Sequence, residues 1–250
     1  MATANTRVIY GLHTVRHTLQ KNPGQVAEVH VQAGKKRAGE LETLLARLDK
    51  NSVSIVECSR EELDEACGST RHQGIVAKLR HAAQDKQPDL SGLLANTEKA
   101  LLLLVLDGIQ DPHNLGACLR SANAAGVDGV IVARDNAAPI NATVSKVASG
   151  AAESTPIYRV TNIARTLREM QSAGVWTVGT DSEGETEIFD LDLSVSTAIV
   201  MGAEGKGLRQ NTRKHCDHLV RLPMLGVVES LNVSVAAGIC LYEVLRQRRP

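Results

Sequence analysis

The 250-residue sequence is poor in aromatic residues and has no surplus of charge of either sign. Phe, Trp and Tyr together make up only 2% of the chain, which excludes a sheet that reads single-stranded RNA by stacking bases on rings. The 28 basic residues equal the 28 acidic residues, so general polyanion binding through a large net positive charge is also excluded. A local basic surface is still compatible with this balance.

Long hydrophobic runs and paired cysteines are missing as well. The longest strongly apolar run covers residues 101–106, far short of the about 18 residues of a membrane-spanning helix. Residues 1–13 lack the basic start, apolar core and cleavage site of an export signal, so we expect a cytoplasmic protein. The five cysteines are widely spaced, which excludes a zinc knuckle or redox pair built from sequence neighbours and favours buried, reduced thiols. His13/His17 and His215/His218 have a usable spacing, but nothing nearby completes either site, and we expect no metal.

Two α/β domains are predicted from the pattern along the chain. Residues 1–80 predict a small domain, with a helix over 8–20, strands at 26–32, 53–57 and 74–79, and a helix-capping box at Ser59 and Glu62. Residues 81–91 are polar and predict a linker. In residues 92–250, near-continuous apolar strands alternate with helices, which predicts a mostly parallel sheet covered on both faces. The strands are expected at 101–106, 129–133, 175–179, 197–201 and 218–222, and the helices near 114–125, 141–149, 162–173, 207–215 and 230–248.

Three segments of the second domain begin where a strand ends, which is where open parallel sheets bind ligands. In residues 106–127, Asn114 is a candidate helix cap. Arg120 lies among small residues and is either a buried ion-pair partner or a phosphate-binding fork. In residues 221–249, Ser230 is predicted to cap a helix whose first turn carries Asn232, forming a cradle for a polar ligand.

The third of these segments, residues 200–210, is rich in glycine. Gly202, Gly205 and Gly207 surround Glu204 and Lys206. Their order differs from the dinucleotide-binding fingerprint, and the usual ending of a phosphate-binding loop is missing. A buried turn and a ligand-binding loop are both open on spacing alone.

Taken together, these segments resemble the SpoU family of RNA ribose 2'-O-methyltransferases. The resemblance covers residues 101–245 and is carried by N-L-G-A-x-x-R at 114–120, M-G-A-E-G-x-G-L at 201–208, L-P-M at 222–224 and S-L-N-V-S-V-A at 230–236. Residues 8–15 and 72–77 resemble the ribosomal-protein-like RNA-binding domain that precedes this core in some members. Chains of this two-domain type resemble bacterial 23S rRNA guanosine-2'-O-methyltransferases that act on the peptidyl-transferase region.

The resemblance implies a catalytic α/β-knot (SPOUT) domain with a deep trefoil knot, a homodimer, and S-adenosylmethionine as cofactor. It implies that the cofactor contacts the backbone around Gly202, Leu222 and Leu231. The catalytic or substrate-binding set that it implies is Asn114, Arg120, Glu204, Ser230 and Asn232. The family favours Arg120 near the reacting hydroxyl. Because a guanidinium has a pKa above about 12, we expect it to bind phosphate or stabilise the developing alkoxide, and the proton acceptor is left unassigned.

Ribosomal RNA as a partner requires local cationic groups. The residues predicted to contact RNA are Lys35, Lys36, Arg37, Lys206, Arg209, Arg213 and Lys214. The arginines at 246, 248 and 249 are expected to form a solvated helix end. The alternatives are a tRNA ribose 2'-O-methyltransferase and a non-catalytic ribosome assembly factor that binds rRNA. A kinase-like or dehydrogenase-like enzyme ranks last because its phosphate-binding signatures are absent.

Overall fold

The structure, a computed structural model, describes residues 8–21, 23–34, 39–47, 53–80, 88–95 and 99–249. The α-helices are α1 (Leu12–Lys21), α2 (Gly39–Arg47), α3 (Arg60–Cys67), α4 (Leu90–Ala95), α5 (Pro112–Ala124), α6 (Ala142–Ala148), α7 (Ala151–Ser154), α8 (Ile163–Ser172), α9 (Gln210–Arg213) and α10 (Val233–Arg248). The strands are β1 (Val8–Tyr10), β2 (Val26–Gln32), β3 (Ser54–Cys58), β4 (Ile75–Leu79), β5 (Leu102–Asp107), β6 (Gly129–Ala133), β7 (Ile157–Val160), β8 (Trp176–Thr180), β9 (Thr186–Glu187), β10 (Thr197–Gly202) and β11 (His218–Arg221).

The described residues divide into two compact units. The first unit lies within Met1–Asp85 and Ile140–Ser154, and the second unit lies within Lys86–Pro139 and Thr155–Pro250. The helix predicted near 141–149 is therefore grouped with the first unit. The boundaries predicted at residues 80 and 92 stay predictions.

The first unit is built on a four-stranded mixed sheet in the order β1-β4-β2-β3. Strands β2 and β3 are parallel, and the other two pairs are antiparallel. The capping box is present, because Ser59 Oγ accepts from Glu62 N while the Glu62 carboxylate accepts from Ser59 N. The prediction of a helix from residue 8 is wrong. Gly11 adopts a φ of +91°, which ends β1 and lets the helix begin only at Leu12.

The second unit is built on a seven-stranded sheet in the order β7-β6-β5-β10-β8-β11-β9, and every pair of neighbours is parallel. This confirms the predicted α/β class and the mostly parallel sheet. Strands β7 and β9 were not predicted, because both are short edge strands without a continuous apolar run. The trefoil knot stays a prediction. Within the described part of the chain, every helix is too short or too polar to span a bilayer.

Two helices of the second unit begin at other residues than expected. The cap of α5 is Asp111, whose side chain accepts from His113 N, and Pro112 occupies the first helical position. Asn114 therefore lies inside the helix. The cap of α10 is Asn232, whose side chain accepts from Ser234 N. Ser230 lies two residues before it, so the prediction that Ser230 caps this helix is wrong.

Candidate active site

The candidate site lies at the carboxyl ends of β5 and β10, the two central neighbours of the parallel sheet. Gly202 is the register partner of Asp107, so the loops that follow these strands leave the sheet side by side. Helix α10 packs against both α5 and β10, which places its first turn at the same edge. A cavity of about 790 Å³ opens there, lined in part by Asn114, Glu204 and Arg209.

Three of the predicted catalytic residues form one hydrogen-bonded cluster, Asn114–Glu204–Asn232. Asn114 Nδ2 donates to Glu204 Oε2 over 2.8 Å, and Asn232 Nδ2 donates to Asn114 Oδ1 over 2.9 Å. Asn232 Nδ2 also lies 3.5 Å from Glu204 Oε1. These residues are up to 118 positions apart in the sequence, and only the sheet topology brings them together.

Asn232 is held in a fixed orientation because its two amide atoms have different partners. Its Oδ1 accepts from the backbone N and the Oγ of Ser234, over 2.9 and 2.6 Å. Its Nδ2 is thereby directed at Asn114 and Glu204. The helix cap and the cluster therefore fix each other, which is the preorganisation that a catalytic site requires.

The glycine-rich loop that carries Glu204 is a tight turn. Ala203 and Gly207 exchange two backbone hydrogen bonds, of 3.0 and 2.8 Å. Gly205 and Gly207 have φ values of +74° and +63°, and a Cβ on Gly202 would lie 2.1 Å from the carbonyl carbon of Gly207. The turn itself therefore accounts for all three glycines without a ligand, although residues 204–207 are exposed and the turn is not a buried one. A cofactor contact at Gly202 stays a prediction.

Asp107 was not predicted as a site residue. It is fully buried at the end of β5, where Oδ2 accepts from Arg209 N over 3.2 Å. Its Oδ1 lies 3.5 Å from Arg209 Nε, an ion pair without the geometry of a hydrogen bond. The sequence did contain a signal for Asp107, an acidic residue at the end of a continuous apolar run. A charge at a buried position must be paired, so such a residue indicates a partner nearby.

Arg120 lies on α5 but is exposed, and it forms no hydrogen bond or ion pair with any residue that the structure describes. This excludes the buried ion-pair alternative within the described chain. Arg120 forms no ion pair with Glu204, whose carboxylate accepts from the amides of Asn114 and Asn232. Arg120 lies six positions after Asn114 on the helix, so the two side chains leave the helix about 120° apart.

The predicted cofactor residues beyond the glycine-rich loop belong to one segment. Residues 222–231 form no helix or strand, so their peptide groups can hydrogen-bond a ligand. Leu222 is half-buried at the start of the segment, while Ser230 and Leu231 are exposed at its end. Leu225 and Val227 are almost fully exposed, at 98% and 101%. Open peptide groups beside apolar side chains suit an adenosine with an aliphatic tail.

The predicted RNA-binding cations differ in their partners. Arg209 pairs with Asp107, and Arg213 pairs with Asp181 and Glu183. Lys206 and Lys214 are exposed and form no ion pair with a described residue. Lys35, Lys36 and Arg37 lie outside the described residues.

The expectation of a solvated helix end at the C-terminus is wrong for Arg248, whereas Arg246 and Arg249 are exposed as expected. Arg248 donates to the carbonyl oxygens of Leu193, Ala100, Leu101 and Val195. Its burial lowers the pKa of the Arg248 guanidinium below the usual value. Arg246 donates to both carboxylate oxygens of Glu243 over 2.8 Å.

The cysteine thiols are free, as expected. Burial raises the pKa values of Cys118, Cys216 and Cys240 to about 12, which makes these thiols poor nucleophiles. Cys67 and Cys216 are only partly buried, so the expectation of full burial fails for these two. Among the described residues, no group of three or more His, Cys, Asp or Glu is arranged to hold a metal ion.

Comparison with known proteins agrees with this site. The model of the SpoU rRNA methylase family matches residues 101–242, and a model described as RNA 2'-O ribose methyltransferase substrate binding matches residues 8–84. Proteins named 23S rRNA (guanosine-2'-O-)-methyltransferase RlmB are 51% identical in Vibrio cholerae, covering 98% of both chains, and 47% identical in Escherichia coli, covering 97% of this chain and 99% of that one.

A solved structure gives the same result for the fold. The SpoU methyltransferase AviRb from Streptomyces viridochromogenes, in complex with the cofactor AdoMet, aligns with a TM-score of 0.80 and 26% identity. The alignment covers 97% of this chain and 90% of that one. The sequence motifs, the parallel sheet and the cluster at its carboxyl edge thus lead to one conclusion: this chain belongs to the SpoU rRNA methylase family.

Proposed function

We propose that this chain transfers a methyl group from S-adenosylmethionine to the ribose 2'-hydroxyl of a guanosine in the peptidyl-transferase region of 23S rRNA. One observation carries the proposal: relatives named for guanosine-2'-O-methylation of 23S rRNA are 47–51% identical across nearly the whole of both chains. The hydrogen-bonded cluster Asn114–Glu204–Asn232 supports it, because it joins three motifs of the family at one edge of the sheet.

The cofactor, when bound, supplies an electrophilic methyl group on a sulfonium centre. We propose that it lies against Gly202, Leu222 and Leu231. The open peptide groups and exposed apolar side chains of residues 222–231 fit a ligand of that kind.

The chain's own residues must therefore orient the two reactants, stabilise the developing charge and help to remove the proton of the 2'-hydroxyl. We propose that Arg120 acts at the ribose 2'-oxygen. Its unpaired guanidinium can bind a phosphate or stabilise the negative charge that develops on this oxygen. Glu204 is held by two amide donors, so its role is to fix the turn and the two asparagines. Ser230 is exposed beside this cluster and is proposed as a substrate contact.

RNA binding is assigned to both parts of the chain. We propose residues 1–80 as the substrate-binding domain, 81–91 as a linker and 92–250 as the methyltransferase domain, in keeping with the two family matches. Lys206, Arg209, Arg213 and Lys214, together with Lys35, Lys36 and Arg37, are proposed to contact phosphates. Arg209 and Arg213 would do so from within their ion pairs.

We further propose that the protein acts as a homodimer in the cytoplasm. Val235 and Tyr242 lie seven positions apart on α10, and both are half exposed. Residues with this spacing share one helix face, which supports docking of a second copy there. Ribosomal RNA as substrate implies a cytoplasmic location.

The test is transfer of tritiated methyl from S-adenosylmethionine to total ribosomal RNA from cells lacking this protein, followed by mapping of the label. We expect label on one guanosine ribose of 23S rRNA, and much slower labelling of the same guanosine by the Arg120→Ala variant. Label on tRNA alone would replace the rRNA substrate. Cofactor binding and methylation both absent, with RNA still bound, would favour the assembly factor.

A further inference from the structure

The first unit contains a basic cavity that the catalytic cluster does not explain. It has a volume of about 970 Å³ and is lined by Arg60, Arg71 and Lys146, with Gly34 and Ser149 among its other lining residues. Its described lining contains no Asp or Glu and no Phe, Tyr or Trp. We call this feature the basic cavity.

The H-Q-G motif at residues 72–74 builds one wall of the basic cavity. Gly74 N donates to Nδ1 of the buried His72 over 3.0 Å, so the ring proton lies on Nε2. His72 Nε2 lies 2.9 Å from Asp64 Oδ1. Gln73 adopts a φ of +60°, and its Oε1 accepts from Leu12 N over 2.9 Å. The hydrogen bonds to His72 and Gln73 therefore hold the turn, and His72 Nε2 lies beside the Asp64 carboxylate without the geometry of a hydrogen bond.

Arg60, Arg71 and Lys146, the cationic groups of the basic cavity, have no anionic partner among the described residues. Lys146 Nζ donates to the carbonyl oxygen of Arg71 over 2.8 Å and lies 4.8 Å from the ring centre of Tyr10. Burial and the charge of Arg71 lower the pKa of Lys146. The guanidinium groups of Arg60 and Arg71 form no hydrogen bond or ion pair with any residue that the structure describes. An anion between these groups would relieve their mutual repulsion.

We infer that the basic cavity binds backbone phosphates of the RNA substrate. This inference rests on the proposed function and names where the substrate is held. Cations without carboxylates favour phosphate, and the forked guanidinium of Arg71 suits its geometry. The absence of aromatic side chains from the described lining argues against stacking of a free nucleotide base. The volume is also much larger than a single phosphate ion needs.

The experiment compares Arg71→Gln and Arg60→Gln in the full-length protein with a matched control, Arg168→Gln. Arg168 is an exposed cation on α8 of the second unit, so the control changes the net charge equally. Binding to an unmethylated 23S rRNA transcript is measured at several salt concentrations. Each cavity variant should weaken binding and reduce the slope of log K against log salt by about 1, because one phosphate contact is lost. The control should match the wild type.

Two further measurements distinguish weaker RNA binding from damage to the catalytic site. At saturating RNA, the cavity variants should keep the wild-type kcat with a raised KM, and S-adenosylmethionine binding should not change. Cavity variants that match Arg168→Gln in affinity and salt slope would overturn the inference. So would Arg71-dependent binding of inorganic phosphate with unchanged RNA affinity, which would identify a small-anion site. Arg71-dependent RNA binding by a wild type that transfers no methyl group would keep the inference and refute the proposed function.

Discussion

Two sets of arginines, one in each unit of the molecule, differ in their partners. In the second unit, Arg209, Arg213 and Arg248 are already bound to carboxylates or carbonyl oxygens of the chain. In the first unit, Arg60 and Arg71 face the basic cavity without a partner among the described residues. A run of basic residues in the sequence therefore does not show which of its cations are already paired within the chain. The partners of each cation in the fold are the better guide.

This contrast has a simple energetic basis. A paired arginine contributes to stability, and its removal leaves a buried acceptor unsatisfied. An unpaired arginine contributes little to folding and is free to bind a ligand. Arg120 is informative because it belongs to the second unit but, like Arg60 and Arg71, has a guanidinium without a partner among the described residues.

The largest effect is expected for Arg120→Ala. Loss of the one group assigned to the reacting oxygen should reduce kcat by about 10²–10³-fold. The melting temperature should not change, since Arg120 is exposed and has no partner among the described residues. Single-turnover methyl transfer and thermal unfolding measure the two quantities, with Arg168→Ala as the control. Wild-type turnover in the Arg120 variant would remove this residue from the mechanism.

Arg248→Gln should show the opposite behaviour. Arg248 donates to four carbonyl oxygens, including those of Leu101 and Leu193, so its loss should lower the free energy of unfolding by about 2–4 kcal/mol. Urea denaturation measures this, while RNA affinity should stay unchanged. Arg249→Gln is the matched control, since this neighbour is exposed. Equal stability of the two variants would refute the structural role.

Asn232→Asp should produce a smaller change that falls mainly on activity. Aspartate keeps an oxygen to accept from Ser234 N but replaces the amide donor with a charge beside Glu204. Displacement of the cluster should lower kcat by about 10- to 100-fold. Asn232→Ala provides the comparison, because it should also lose about 1 kcal/mol of helix capping. An Asp variant with wild-type kcat would show that the cluster has no part in orientation.

The smallest effect is expected for Glu243→Gln, and it depends on pH. The hydrogen-bonded Arg246 guanidinium holds the pKa of the Glu243 carboxyl below its usual value. The ionised carboxylate therefore adds stability above pH 4.5, and this contribution is lost as the pH falls through the lowered value. Since Arg246 is exposed, we expect a deficit of about 1 kcal/mol at pH 7 and a smaller deficit at pH 3. Denaturant unfolding at both pH values tests this, and a constant deficit would contradict it.

Local patterns in the sequence predicted most of the fold. The strand at 129–133 has the predicted bounds, and the capping box at Ser59 is present, because each depends on a few adjacent residues. Contacts between distant segments could not be predicted from these local patterns. No local pattern shows that Arg248 binds carbonyl oxygens near residue 100, or that Lys146 lies beside Arg71.

The candidate site was predictable in part for the same reason. The family motifs identified Asn114, Glu204 and Asn232, but the hydrogen bonds among them depend on the parallel order of β5 and β10. The basic cavity gave no sequence signal of its own. Its cations come from three separate segments, and only one of these lies next to a recognised motif.

The glycine-rich turn also bears on how this lineage can diverge. Gly205 and Gly207 have open space around a would-be Cβ, so Asn or Asp could replace them at a cost of about 1 kcal/mol. At position 202 even a methyl group would overlap the backbone of the returning chain. Three glycines that look equivalent in the sequence thus differ in evolutionary freedom. Gly205 and Gly207 can be replaced in the course of evolution, whereas Gly202 must be kept for as long as this turn exists.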